Sequence, residues 1–263
     1  MGERKKYHRG RRKKKKGGII STLILIIAIA VFCVSGYQLY KIFGGYHQGK
    51  SEYDKVREVA VHGDDKNEDE FVVDFDELKK INADTVGWIR FYPEPSQISY
   101  PLVQTTDNDL YLNRTFSANE NTVGAIFVNC DNASDFSDRN TIIYGHRMRD
   151  HSMFHDLEKY KDESFWKENP YFYIYTPDGR KLTCHIYSAG IVKDTSSTYL
   201  TQFASDEAYQ AFLDDTKRAG AYHTGVEVTT DQRVVTLSTC TAASDDNRMV
   251  VRGVIESEDV VKK

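Results

Sequence analysis

The sequence predicts a mainly β domain, closed or nearly closed into a barrel, carried behind one apolar segment of membrane length. Two observations predict the barrel. Strand-length runs of β-branched and aromatic residues recur at short intervals from residue 86 to residue 255, separated by turn residues such as Thr176, Pro177, Asp178 and Gly179. Helical spacing is confined to short stretches, and no internal repeat interrupts the pattern. A third observation predicts the anchor: residues 19–36 carry no charge, and Leu23 to Phe32 is almost wholly aliphatic.

The N-terminal part is read first. Residues 4–16 hold ten Lys and Arg, whereas residues 38–263 hold 25 basic against 38 acidic side chains, a balance of −13. The overall pI near 6.1 therefore averages two opposite regions. A basic run can contact nucleic acid, but this one abuts the apolar segment and brings no base-reading motif, so nucleic acid is excluded as a partner. Some 18–20 residues at ~1.5 Å rise just cover a ~30 Å hydrocarbon layer. A cleaved signal has a shorter apolar core of about 7–15 residues before a small-x-small site, which is missing here. The expectation is an uncleaved anchor at 18–37, a cytoplasmic basic tail at 1–17 and an extracellular remainder. The partner of residues 18–37 is the lipid bilayer.

Residues 38–70 read as a polar stalk, with helical spacing in places but no stripe wide enough to demand burial. The folded domain is expected over 71–263. Asp74 with Glu77 is a helix-start signal, and Phe75, Leu78 and Ile81 give helical spacing up to residue 82. Strands are expected at 86–91, 99–103, 125–129, 141–144, 171–175, 182–187, 189–193, 234–239 and 249–255. Helical stretches are expected at 153–160 and 206–219, the latter with Tyr209, Phe212 and Leu213 on one face.

Four cysteines make no disulfide framework. Cys33 lies in the apolar segment, which leaves the odd set Cys130, Cys184 and Cys240 outside. Cys184 sits within a strand and reads as a small buried hydrophobe. Cys240 ends the strand Val234-Val235-Thr236-Leu237-Ser238-Thr239, a placement that suits a nucleophile on a rigid element. His146 ends another apolar strand, and Arg248 opens the one after Cys240. A free thiol is only a few per cent thiolate at neutral pH, so Cys240 needs an electropositive neighbour. An imidazole can give a proton to a departing amine and take one from an incoming amine, which suits His146 to that part. An arginine holds its proton, so its part is electrostatic stabilisation of an oxyanion. Arg248 and Arg252 lie on one strand face and compete for that part. Taken singly, each residue has a plain structural reading: packing, a turn, a solvated charge.

In combination these residues resemble a known family. Thr236-Leu237-Ser238-Thr239-Cys240, with Tyr144-Gly145-His146 before it and Asn247-Arg248-Met249-Val250-Val251 after it, is similar to the sortases. The stretch Phe75-Asp76-Glu77-Leu78, then Val86-Gly87-Trp88-Ile89, resembles the class B branch in particular. So do Tyr100-Pro101-Leu102-Val103-Gln104, Asp107-Asn108-Asp109-Leu110-Tyr111-Leu112 and Ser152-Met153-Phe154-His155-Asp156-Leu157. The resemblance runs from about residue 71 to the C-terminus. It implies a sortase-type barrel of about eight strands with an N-terminal helical extension, on a Gram-positive cell surface. It implies a cysteine transpeptidase that cleaves an Asn-Pro-x-Thr-like sorting signal after Thr and joins the protein to a cell-wall peptide amine. Its partners would be surface proteins bearing that signal and the cell-wall precursor that supplies the amine.

The resemblance assigns Cys240 as nucleophile, His146 as general acid and base, and Arg248, rather than Arg252, as oxyanion or substrate stabiliser. It further implies substrate contacts at Leu112, Tyr144, Thr195, Tyr199, Leu200 and Ser238. A surface cysteine protease, a pilus-polymerising sortase and an adhesion module on a dead site are the competing readings. His151 and His155, four apart, and the acidic trio Asp131, Asp135 and Asp138 are read as surface groups, so no metal and no cofactor is expected.

Overall fold

The computed structural model of the chain describes residues 17–63, 70–244 and 246–261. The basic tail and the acidic stretch 64–69 lie outside the described residues. Helix α1 (Gly17–Ala60) contains the apolar segment and is long and apolar enough to cross a membrane. The chain divides into two compact units, Met1–Gly44 and Gly45–Lys263.

Within the second unit, the last turns of α1 are built into the core. Tyr53, Val56 and Ala60 are buried there. Strand β1 (Val61–His62) pairs with β2 (Val72–Val73), and Asp74 N–H donates to the Ala60 carbonyl at 2.7 Å. The expected polar stalk over 38–70 is corrected accordingly: the compact unit begins at Gly45 rather than residue 71. One narrow stripe, three and four residues apart, is enough where a tyrosine supplies most of the buried area.

Helix α2 (Phe75–Ile81) starts as its sequence predicts, with the Asp74 carboxylate accepting from Glu77 N–H at 2.9 Å. Eight strands then close a barrel: β3 (Thr85–Phe91), β4 (Ser99–Val103), β5 (Ile126–Val128), β6 (Asn140–Tyr144), β7 (Tyr171–Tyr175), β8 (Arg180–Lys193), β9 (Val234–Cys240) and β10 (Asn247–Val260). Their order around the barrel is β10-β8-β7-β3-β4-β5-β6-β9, and β9 closes on β10. The two strands expected at 182–187 and 189–193 form one continuous β8.

Two pairings are parallel, β4 with β5 and β6 with β9. Helix α3 (Glu163–Glu168) follows a 3₁₀ segment over His155–Lys161, where the sequence predicts one helical stretch. Helix α4 (Asp206–Arg218) lays Tyr209, Phe212 and Leu213 against Tyr187, Val234 and Val254 in a second core beside the barrel. The main core packs on both faces of the barrel wall, around Trp88, Ile89, Phe172, Ile174 and Leu237, all fully buried.

Candidate active site

The pairing of β9 brings the chemically capable residues together. Its parallel partner β6 ends at the same rim of the barrel, with Tyr144 level with Ser238. The same step of two residues separates Tyr144 from His146 and Ser238 from Cys240. Its antiparallel partner β10 begins at that rim, with Arg248 directly opposite Cys240 in the ladder. Facing residues of an antiparallel pair hold their Cβ atoms about 5 Å apart on one side of the sheet. Cys240 is exposed, whereas Ser238 and Thr236 below it are buried. The thiol therefore stands at the lip of the barrel.

Asn108, Leu112, Phe127, Tyr144, Gly145, His146, Ser238, Thr239, Cys240 and Arg248 line one cleft of about 240 Å³. His146 is fixed by the segment before β5. Its Nε2 lies 2.7 Å from the Leu112 carbonyl, which can only accept, so Nε2 carries a proton and Nδ1 is the nitrogen free to gain or lose one. Its own carbonyl accepts from Phe154 N–H at 2.9 Å.

Gly124 packs against the edge of the imidazole. At φ +64 it is left-handed, and a Cβ there would lie 2.8 Å from His146 Cδ2 and 2.9 Å from the Leu112 oxygen. Among the described residues, no hydrogen bond joins Cys240 to His146. In free enzymes such contacts often tighten only once substrate is bound.

Arg248 is a quarter exposed; one guanidinium nitrogen donates to the Asn247 carbonyl and another lies 3.7 Å from the Asp194 carboxylate. Its rival is differently placed. Arg252 is fully buried, donating to Ser188 Oγ at 3.1 Å and Thr198 Oγ1 at 2.7 Å. It braces the loop after β8 and does not line the cleft. Burial also pushes its pKa down.

The expected substrate contacts divide into three sets. Leu112, Tyr144 and Ser238 line the cleft. Tyr199 stands behind them, its hydroxyl 2.8 Å from Ser238 Oγ and its ring stacked on Tyr144 at 6.2 Å. Burial pushes the Tyr144 phenol up to about 12 and raises that of Tyr199, so both remain neutral donors at physiological pH. Thr195 and Leu200 are exposed and do not line the cleft; Leu200 is held by its carbonyl, which accepts from buried Asn140 at 2.8 Å.

Sequence reasoning missed Asn108, Phe127, Gly145 and Thr239, each next to a residue it singled out or within a stretch it quoted. Cys184 is fully buried and its thiol is pushed far up by that burial, whereas Cys130 is free and part-exposed.

Comparison with known proteins agrees with this arrangement. Residues 94–256 match the family model described as the sortase domain. Sortase B of Staphylococcus aureus is 31% identical over 231 residues, covering 88% of this chain and 93% of that protein. The crystal structure of sortase B from Bacillus anthracis in complex with AAEK1 superposes with a TM-score of 0.68 at 31% identity, covering 84% of this chain and all of the other. A sortase B complexed with triglycine gives a TM-score of 0.65 at 35% identity over 72% of this chain and 86% of that one. With a matching barrel, a matching domain and relatives aligned along most of their length, the chain belongs to the sortase family of cysteine transpeptidases, in its class B branch.

Proposed function

We propose that Cys240 attacks the Thr carbonyl of an Asn-Pro-x-Thr-like sorting signal and that a cell-wall peptide amine resolves the resulting thioester. The observation that carries this reading is the cleft that Cys240, His146 and Arg248 line together. The thiolate adds to the carbonyl carbon, and the electron pair moves to the carbonyl oxygen, where the Arg248 guanidinium stabilises it. Collapse breaks the C–N bond, and the departing amine takes the proton of the His146 imidazolium. The incoming amine then attacks the thioester and gives its proton back to His146. An amide forms and the thiolate is released, so the pair ends as it began.

A cleft of about 240 Å³ is small beside ligand pockets of ~300–1,000 Å³. It suits the residue at the scissile bond, with Leu112 and Tyr144 as apolar walls, Tyr199 backing Tyr144, and the rest of the signal lying along the rim. The relative complexed with triglycine supports a short peptide amine as acceptor. Ten basic residues before the apolar part of α1 favour a cytoplasmic tail and an extracellular barrel.

The test is a peptide library read by mass spectrometry, with purified residues 45–263 and triglycine as amine. Cleavage after Thr with amide formation, lost in both Cys240→Ala and His146→Ala, is the expected result. Cleavage elsewhere, or hydrolysis that no amine diverts, would make the protein a protease.

A further inference from the structure

We propose that His151, His155 and Asp156 form a binding site for a zinc-class dication on the loop that follows His146. One donor atom from each residue lies within 4.8 Å of the other two. The two imidazoles do not share a helix face: His151 sits in the tight loop closed by the Arg147–Met153 bridge, and His155 opens the 3₁₀ segment. Their ring centres are nevertheless only 4.0 Å apart. The carboxylate beside them is Asp156, nearly fully buried.

Each donor is oriented by a second contact. His155 Nδ1 lies 2.5 Å from the Met148 carbonyl, an acceptor, so that nitrogen carries the proton and Nε2 keeps its lone pair. A backbone carbonyl on the far nitrogen is the usual support of a metal-bound histidine. Asp156 Oδ2 is paired with the Lys159 ammonium at 2.9 Å, which leaves Oδ1 facing His151 Nδ1 at 3.3 Å.

Of the cations beside the cluster, Lys159 is held by Asp156 itself and two others are paired outside it. Arg147 is paired with Glu158 at 2.9 Å, and Lys161 with the other Glu158 oxygen. His151 is held at φ +66, an unusual conformation for a residue with a side chain.

Two imidazoles and one carboxylate select a borderline transition-metal dication over calcium or magnesium, which prefer all-oxygen cages. Bond lengths of ~2.0–2.2 Å require donors somewhat closer than they stand, and the exposed His151 ring closes that gap by turning about its side-chain bonds. Coordination would tie residue 151 to residues 155 and 156. Phe154, whose N–H holds the His146 carbonyl, lies between them.

The experiment is zinc titration by calorimetry on the untagged full chain in detergent, with cobalt(II) absorption as a second readout. The Cys240→Ala background, made together with Cys130→Ser, removes the two accessible thiols of the barrel unit that would compete for zinc. One equivalent of zinc is expected to bind in both backgrounds, calcium and magnesium should not displace it, and cobalt should show tetrahedral visible bands. His151→Ala, an exposed change that leaves the fold intact by circular dichroism, should weaken binding at least ~10-fold, and adding His155→Gln should abolish it. Binding that vanishes in the background lacking both thiols but survives His151→Ala would overturn the proposal. So would the absence of any uptake at millimolar zinc.

Discussion

Replacing Tyr53 by phenylalanine removes one oxygen atom and two hydrogen bonds. The hydroxyl donates to the Gly124 carbonyl at 2.7 Å and accepts from Phe116 N–H at 3.2 Å, in a fully buried position. Burial raises its pKa well above the ordinary tyrosine range, so it remains a neutral donor at any working pH. The ring stands edge-on to Tyr100 at 5.3 Å, and a phenylalanine keeps that contact. What is lost is therefore polar. Two bonds at roughly 1 kcal/mol each, with a carbonyl and an amide left without a partner, amount to about 2–3 kcal/mol. For a folded unit of this size that lowers Tm by roughly 5–10 °C.

The effect on catalysis follows from where those bonds lie. Gly124 touches the His146 ring, and the segment it ends carries the Leu112 carbonyl that holds His146 Nε2. Glu52 on the same helix accepts from Ser117 N–H and from Asn119 in that segment. A small displacement of a catalytic group is costly, so kcat on a sorting peptide should fall about tenfold or more with KM little changed. The assay pairs urea unfolding with cleavage kinetics, run well below the variant's Tm. Lost stability with unchanged kcat would mean that α1 supports the fold without positioning His146. Unchanged stability would refute the two hydrogen bonds themselves.

Gly124→Ala should cost activity for the same reason, since a Cβ at φ +64 would lie within 2.9 Å of both the imidazole and two carbonyl oxygens; wild-type turnover would exclude the close packing. A fragment beginning at residue 71 should be unstable or aggregate where one beginning at residue 45 folds, because it exposes the faces that Tyr53, Val56 and Ala60 cover, on the order of 5 kcal/mol of burial; equal urea midpoints would contradict this. Arg248→Lys should keep stability within about 0.5 kcal/mol and lose most turnover, while Arg252→Ala should lower stability by roughly 2–4 kcal/mol through the loss of its buried bonds. The reverse pattern, in unfolding and kinetics measured side by side, would exchange their roles.

Local signals were legible wherever the physics is local. The Asp74–Glu77 cap, the amphipathic face of α4 and the strand-end position of Cys240 all follow from residues within a few positions of one another. Convergence of the site was legible only through the family resemblance, because it depends on a parallel pairing between residues 140–144 and 234–238, which local pattern does not specify. The same limit applies to the two arginines. Parity correctly places Arg248 and Arg252 on one face, but burial of Arg252 depends on Ser188 and Thr198, which sit more than fifty residues away.

The N-terminal helix is the instructive miss. Gly49, Tyr53, Val56 and Ala60 are all buried and spaced four, three and four apart, so a helical stripe was present in the sequence. It was narrow, and Lys50, Glu52, Asp54, Lys55, Arg57 and Glu58 around it read as solvated. Charged neighbours do not oppose burial of a stripe when they lie on the other face of a helix or bond to a neighbouring loop. Glu52 does the second, accepting from the loop that ends at Gly124, and Arg57 donates to the Ser99 carbonyl at 2.8 Å. These contacts bind the final turns of the helix to the barrel. The segment between the apolar stretch and the barrel is thus a structural part of the barrel unit, and its tyrosine lies two contacts from the imidazole.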